Sequence, residues 1–303
     1  MRFTRRRFFG VAAATGTLLG TPLPATTAES DFTLWQIPLH QNRSQGNSYV
    51  FRMKSGKIAV MDGGVASEAG YLRGFLGALG NEIEAWFLSH PHSDHIGACN
   101  EILKNPDGIR IKTIYHAEFS KEFYDAVEPG SRKLTEEFYT NLKKPELKTA
   151  GTTVVDVTEP GLVVTVGGTK FTILDVKDEK VTDNAYNNSC MVIRVEDAVR
   201  SAVFLGDAGI EQGDRLLSGP FRKRLNCDFL QLAHHGQRGV RKDFYRTIKF
   251  NACLWPTPLW LYNNDAGKGY DTHNWETVEI RNLMEELGIK KHFLGWQGLC
   301  VVE

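Results

Sequence analysis

The sequence predicts a layered fold in which β-strands and α-helices alternate, an α/β (α+β layered) class, on three observations. Short apolar or alternating runs ending at glycine or aspartate recur along the chain, helically spaced stretches separate several of them, and a histidine-rich run directly follows one apolar strand. Residues 32–37 and 48–53 read as strands, with Gly46-Asn47 as punctuation between them. Residues 57–61 form a third, closing on Asp62-Gly63-Gly64, an acid and two glycines suited to a tight turn whose backbone passes close to something. Residues 69–79 have helical spacing and stop at Gly80, and residues 84–88 are a buried strand.

Further along, residues 98–104 are helix-like, residues 113–115 read as a strand, and residues 131–144 are a charged helical stretch in a peripheral excursion. Strands are expected at 154–156, 162–166 and 170–175, the last two joined through Gly167-Gly168, a hairpin signal. An apolar strand ends at Gly206-Asp207, and residues 228–233 form another that delivers His234-His235-Gly236. Helices are expected at 213–217 and at 276–287, the latter capped by Gly288.

With 303 residues, 42% hydrophobic and 24% charged, the chain has ample core for one large domain or two small ones, and it carries no heptads or internal repeat. Residues 1–28 read apart from that fold, as a signal segment. Thr4-Arg5-Arg6-Arg7-Phe8-Phe9 is similar to the twin-arginine export consensus, and the apolar stretch 11–19 is too short to span a bilayer. The expected mature domain is therefore 29–303, periplasmic or secreted, meeting the membrane only through its signal. Removing four arginines leaves 32 basic against 36 acidic residues, a balance with no global pull toward long nucleic acid. The five cysteines show no C-x-x-C pairing and sit in apolar segments, as buried thiols do.

Chemistry is concentrated in Ser89-His90-Pro91-His92-Ser93-Asp94-His95-Ile96-Gly97. Three imidazoles and a carboxylate within six residues are poor core material and good donors for Zn²⁺ and related divalent ions. In an extended segment His90 and His92 point to one side, and as the chain turns Asp94 and His95 can face a second position. One loop can thus serve two ions. His116 stands alone after a strand and reads as a hydrogen-bonded or surface residue.

The order of strand, strand ending in Asp-Gly-Gly, helix, strand, then H-x-H-x-D-H at residues 48–97 resembles the opening half of the metallo-β-lactamase superfamily. That resemblance implies an αββα sandwich, two mixed β-sheets back to back with helices outside and metals at one edge. It makes Asp207 the match for the family's bridging aspartate and places the last histidine ligand at His234 or His235, with His234 preferred and its neighbour lining the pocket. Asn187-Asn188-Ser189 before a strand, then L-G-D-A, then H-H-G is similar to the branch of ComEC-type extracytoplasmic hydrolase domains and phosphorylcholine esterases.

Many dinuclear relatives carry a further histidine ahead of the bridging aspartate. No histidine stands between His116 and His234 here, and Asn187 and Asn188 occupy the matching region. One site is then expected to be complete (Asp94, His95, Asp207 and the last histidine), and the His90/His92 site to bind less tightly, with one or two Zn²⁺ per chain and Mn²⁺ as an alternative. The implied chemistry is hydrolysis by water that a divalent ion acidifies, with Asp94 orienting it and no serine or cysteine nucleophile. Arg238, Arg241, Lys242 and Arg246 follow the H-H-G turn and suit a phosphoester or phosphodiester, small or on a surface polymer, with Asn188 as a further substrate contact. The aromatic stretch 255–275 reads as a lid or as packing beneath a loop, and His273, before a helix, as a proton donor to the leaving group. Lactone or β-lactam hydrolysis and a non-catalytic metal-binding scaffold are the alternatives.

Overall fold

The computed structural model describes residues 29–39 and 45–303. The predicted signal segment lies outside them. Among the described residues no helix is long and apolar enough to cross a membrane.

Strands β1 (Phe32–Gln36), β2 (Ser48–Met53), β3 (Ile58–Asp62), β4 (Glu82–Phe87), β5 (Arg110–Ile111), β6 (Thr113–His116) and β7 (Thr153–Asp156) belong to the first sheet, with β15 (Cys300–Val302) on its edge. The order is β15-β1-β2-β3-β4-β6-β7, antiparallel up to β3 and parallel beyond it, with β5 also beside β4. The second sheet runs β14-β13-β12-β11-β10-β9-β8, from β8 (Val163–Val166), β9 (Thr169–Asp175), β10 (Val192–Glu196), β11 (Ser201–Phe204), β12 (Phe229–Gln231), β13 (Ala252–Trp255) and β14 (Lys291–Leu294). Strands β8 to β11 are antiparallel and β11 to β14 parallel. Both sheets are mixed, and helices cover their outer faces.

Three apolar layers follow from the strand patterning. The inner faces meet through Tyr49, Phe51, Phe87, Phe171 and Phe204, with Phe87 and Phe171 stacked at 4.9 Å. The first sheet is covered by α1 (Ala69–Ala78), α2 (Ser93–Lys104), α3 (Lys121–Val127), α4 (Arg132–Leu142) and α5 (Pro145–Thr149), which pack around Trp86, Ile96 and Phe138. Over the second sheet lie α6 (Ile210–Ser218), α7 (Lys242–Thr247), α8 (Leu259–Tyr262) and α9 (Thr277–Glu286), around Leu230, Phe244 and Trp255. Strands buried on both faces need continuous apolar runs, which is why β3, β11 and β13 show them.

Two expectations need correction. The helix after the histidine run starts at Ser93 rather than at residue 98, so Asp94 and His95 sit in its first turn, where a carboxylate also complements the helix dipole. His116 is not at the surface: it is 4% exposed and wedged against Phe138 and Tyr139, where burial pulls its pKa down to about 4. The remaining expected strands and helices occur within a few residues of their predicted bounds, and all five cysteines are free thiols.

Candidate metal centre

Strands β3, β4, β11 and β12 each send a loop from their carboxyl ends to one edge of the sandwich. Asp62 closes β3 itself, the 89–95 run spans the loop after β4 and the first turn of α2, and Asp207 and His234-His235 follow β11 and β12. Asp94, His95, Asp207 and His235 offer ligand atoms all within 4.8 Å of one another, and so do His90, His92 and Asp207. Asp207 is common to both groups.

Hydrogen bonds fix which imidazole nitrogen faces inward. His95 Nδ1 donates to Asp62 Oδ2 at 2.7 Å, leaving Nε2 bare, 3.1 Å from Asp207 Oδ1 without a hydrogen bond between them. His235 Nδ1 donates to the Pro256 carbonyl at 2.7 Å, so its Nε2 turns toward Asp94 Oδ2 at 3.3 Å and Asp207 Oδ2 at 3.4 Å. Ser89 gives its hydroxyl proton to Asp62 Oδ2 at 2.8 Å, and its oxygen lies 3.1 Å from His90 Nδ1. Nε2 of His90 and Nδ1 of His92 face each other at 2.9 Å. Cys190 Sγ lies 3.3 Å from His90 Nδ1 and accepts the Asp207 amide N–H at 3.2 Å.

The backbone is shaped around this cluster. Gly97 in α2 lies against the 65–66 turn, where any Cβ would come within 2.5 Å of the Ala66 nitrogen. His234 and His235 both take left-handed backbone (φ 51° and 56°), an uncommon conformation that collects at functional sites. Gly236 continues the turn at φ 77°, where a Cβ would strike the Trp255 ring at 2.5 Å.

The charges are those of a site built for a cation. Burial opposes ionisation of Asp207, yet His235, His95 and His234 around it hold its carboxyl well below the usual range. Asp94 is likewise lowered, by His235 and His95 against the cost of burial. Despite burial, Asp207 and Asp62 raise His95 well above an ordinary histidine, and Asp207 and Asp94 push His235 up to about 10. Two carboxylates thus hold protons on rings that have no other hydrogen-bonding task for Nε2. The residues present fit a divalent ion: His95 Nε2, Asp207 Oδ1 and His235 Nε2 are buried without hydrogen-bond partners, and imidazole nitrogens with carboxylate oxygens are a common donor set for such ions. The outer shell of Asp62 and Pro256 is what metal-binding histidines require.

The chain belongs to the metallo-beta-lactamase superfamily, whose family profile matches residues 42–249. No curated protein matches the sequence. Among solved structures, the metallo-beta-lactamase fold protein YhfI from Bacillus subtilis aligns with a TM-score of 0.51 at 16% identity, covering 86% of this chain and 95% of that one. Unliganded yeast PDE1 aligns at 0.53 and 9% identity, covering 91% and 100%. CmlA, a diiron β-hydroxylase from Streptomyces venezuelae, aligns at 0.54 and 11% identity; 91% of this chain covers 55% of that larger one. At such identities these likenesses speak for the fold alone.

The predicted residues do not all meet. His90, His92, Asp94, His95, Asp207 and His235 come together, and His235 rather than His234 enters the four-donor group. His234 remains partly exposed, its Nδ1 donating to the Arg238 carbonyl and its Nε2 3.8 Å from Asp207 Oδ2. Asn188 is a correction: it is fully buried and consumed by the fold. Its Oδ1 accepts the Gln212 amide at 3.1 Å, and its Nδ2 donates to the Asp183 carbonyl and Glu211 Oε2, so no polar atom remains for substrate. His273 packs on Trp275 at 3.9 Å and stands outside both donor groups. Arg238 and Arg241 border an open cavity whose lining includes none of the donor residues.

Asp62 is the functional residue whose role the sequence analysis missed. Its Asp-Gly-Gly context marked a close approach, and the thing approached is His95. Spacing carries no signal for that contact, because the partners are 33 residues apart.

Proposed function

We propose that the protein is an exported metallohydrolase acting on a phosphoester or phosphodiester. The observation that carries the substrate class is a cavity of about 380 Å³ lined by Arg238, Arg241, Lys242, Ile210, Asp243 and Glu276. Its walls continue the two ligand loops, since Ile210 follows Asp207 and Arg238 follows His235. The cations are held loosely, Arg238 and Lys242 to Glu276 at 3.8 and 3.6 Å and Arg241 to Asp214 at 3.2 Å, and all three are well exposed. Exposed pairs of this kind contribute little, so a phosphate can displace the carboxylates.

A divalent ion held by Asp94, His95, Asp207 and His235 would supply Lewis acidity, lowering the pKa of water toward 7. In this reading Asp94, partly exposed, orients the attacking water, and Arg238 and Arg241 bind the phosphate oxygens. Arg238 also donates to the Asn274 carbonyl at 2.7 Å, next in sequence to His273, which this reading makes a proton donor to the leaving group. The likeness of the N-N-S, L-G-D-A and H-H-G segments to ComEC-type hydrolase domains and phosphorylcholine esterases supports the same substrate class. Arg5-Arg6-Arg7 supports twin-arginine export.

The test is metal content per chain by elemental mass spectrometry, alongside turnover of bis-p-nitrophenyl phosphate, a chromogenic lactone and a chromogenic β-lactam. Phosphodiester turnover that chelation abolishes and ion replacement restores supports the reading. Turnover of the lactone or β-lactam alone moves the assignment to carboxylic derivatives. Bound metal with no turnover of any kind moves it to a scaffold.

A further inference from the structure

Neighbouring side chains in an extended strand point to opposite faces, yet both rings of His234 and His235 reach one carboxylate. Nε2 of His235 lies 3.4 Å, and Nε2 of His234 3.8 Å, from Asp207 Oδ2. Nε2 of His90 lies 4.0 Å from the same oxygen. Left-handed backbone at both residues (φ 51°, ψ 50° and φ 56°, ψ 24°) turns the two rings the same way. That conformation is costly for any residue with a Cβ, and such strain persists where surrounding structure demands it.

The two donor groups are unequal. Asp94, His95, Asp207 and His235 supply four ligands, whereas His90, His92 and Asp207 supply three, and a tetrahedral ion takes four. The smaller group lacks one neutral nitrogen aimed at Asp207. His234 has it: its Nδ1–H is committed to the Arg238 carbonyl, which leaves the Nε2 lone pair free.

We propose that the adjacent histidines serve one ion each, His235 completing the Asp94/His95/Asp207 group and His234 the His90/His92/Asp207 group. The missing upstream histidine is thereby replaced from the other end of the site, by a residue whose neighbour already ligates. The proposal rests on the reading that the centre holds metal.

Zn²⁺ and Co²⁺ titrations by calorimetry, with stoichiometry from elemental mass spectrometry, test it on the full chain. Wild-type protein is expected to hold two ions, and His234→Ala one, with the affinity of the retained ion unchanged within about twofold. His90→Ala loses the same ion, so the His90→Ala/His234→Ala double variant binds no less than either single, whereas His234→Ala/His235→Ala loses both. Because the His234 side chain is 22% exposed, His234→Ala should fold; His234→Gln, with circular dichroism on each variant, separates lost ligation from lost structure. Folded His234→Ala and His234→Gln that keep two ions at wild-type affinity overturn the proposal. So does a wild-type protein holding a single ion, which leaves the metallohydrolase reading standing, whereas a wild-type protein holding none overturns both.

Discussion

The Asp62 carboxylate and the His95 imidazole meet at 2.7 Å, and neither side chain is more than 1% exposed. The same oxygen, Oδ2, accepts from Ser89 Oγ and Asn47 Nδ2, both at 2.8 Å, while Oδ1 takes the Ser89 amide at 2.7 Å. Asp62→Asn keeps the volume and removes the charge, and its amide group must turn donors toward donors. Orienting partners of this kind are worth about 10–100-fold in metal affinity. A loss of that size is the expected outcome, read by metal titration with circular dichroism as the control for folding.

Metal binding is expected to release protons. In the metal-free protein Asp207 and Asp94 hold His235 up at about 10, so at neutral pH its ring carries a proton that an ion must displace. The ligating form is neutral, so apparent affinity weakens as pH falls below about 10, by roughly tenfold per pH unit for each proton displaced. Calorimetric titrations in buffers of different ionisation enthalpy measure that number directly. Binding without proton release contradicts the charge state assigned to His235.

Asn188→Ala separates a structural amide from a substrate contact. The side chain accepts from Gln212 in the first turn of α6 and lies against Gly209, which begins that helix. Losing a cap of this kind costs about 1–2 kcal/mol. Denaturant unfolding should show that loss, and KM for whichever chromogenic substrate the protein turns over should stay at the wild-type value.

His116 provides an acid-sensitive element outside both donor groups. Burial holds its folded-state pKa at about 4, with Asp156 and Glu118 opposing and Lys143 and Lys177 assisting. The unfolded chain, with an ordinary histidine near 6.5, binds the proton first as pH falls. Stability is therefore lost on acidification between about 6.5 and 4, by up to about 3 kcal/mol. His116→Gln should flatten that part of the stability-pH curve, measured by urea unfolding.

The histidine run and Asp207 were legible because metal chemistry imposes residue types at short spacing or at a strand end, and apolar runs betrayed the strands that deliver them. Which of His234 and His235 enters the four-donor group was not legible, because it depends on a left-handed turn that strand alternation does not encode. The helix start at Ser93 was hidden for a related reason: a run read for its ligands gave no separate sign of its backbone. Asn188 looked available because a polar residue near a site resembles a contact until its partners are known. Strands β13 to β15 lie in segments that the element reading passed over, and their pairing across the sheets rests on contacts distant in sequence.

The donors come from both halves of the sandwich. His90, His92, Asp94 and His95 follow β4 of the first sheet, while Asp207 and His235 follow β11 and β12 of the second. An ion seated there fastens two layers that otherwise meet mainly through apolar packing, and it does so at an edge where that packing ends. Binding to the folded state alone raises stability with ion concentration, so an ion held there would tie the firmness of the join between the sheets to the ion concentration around the protein.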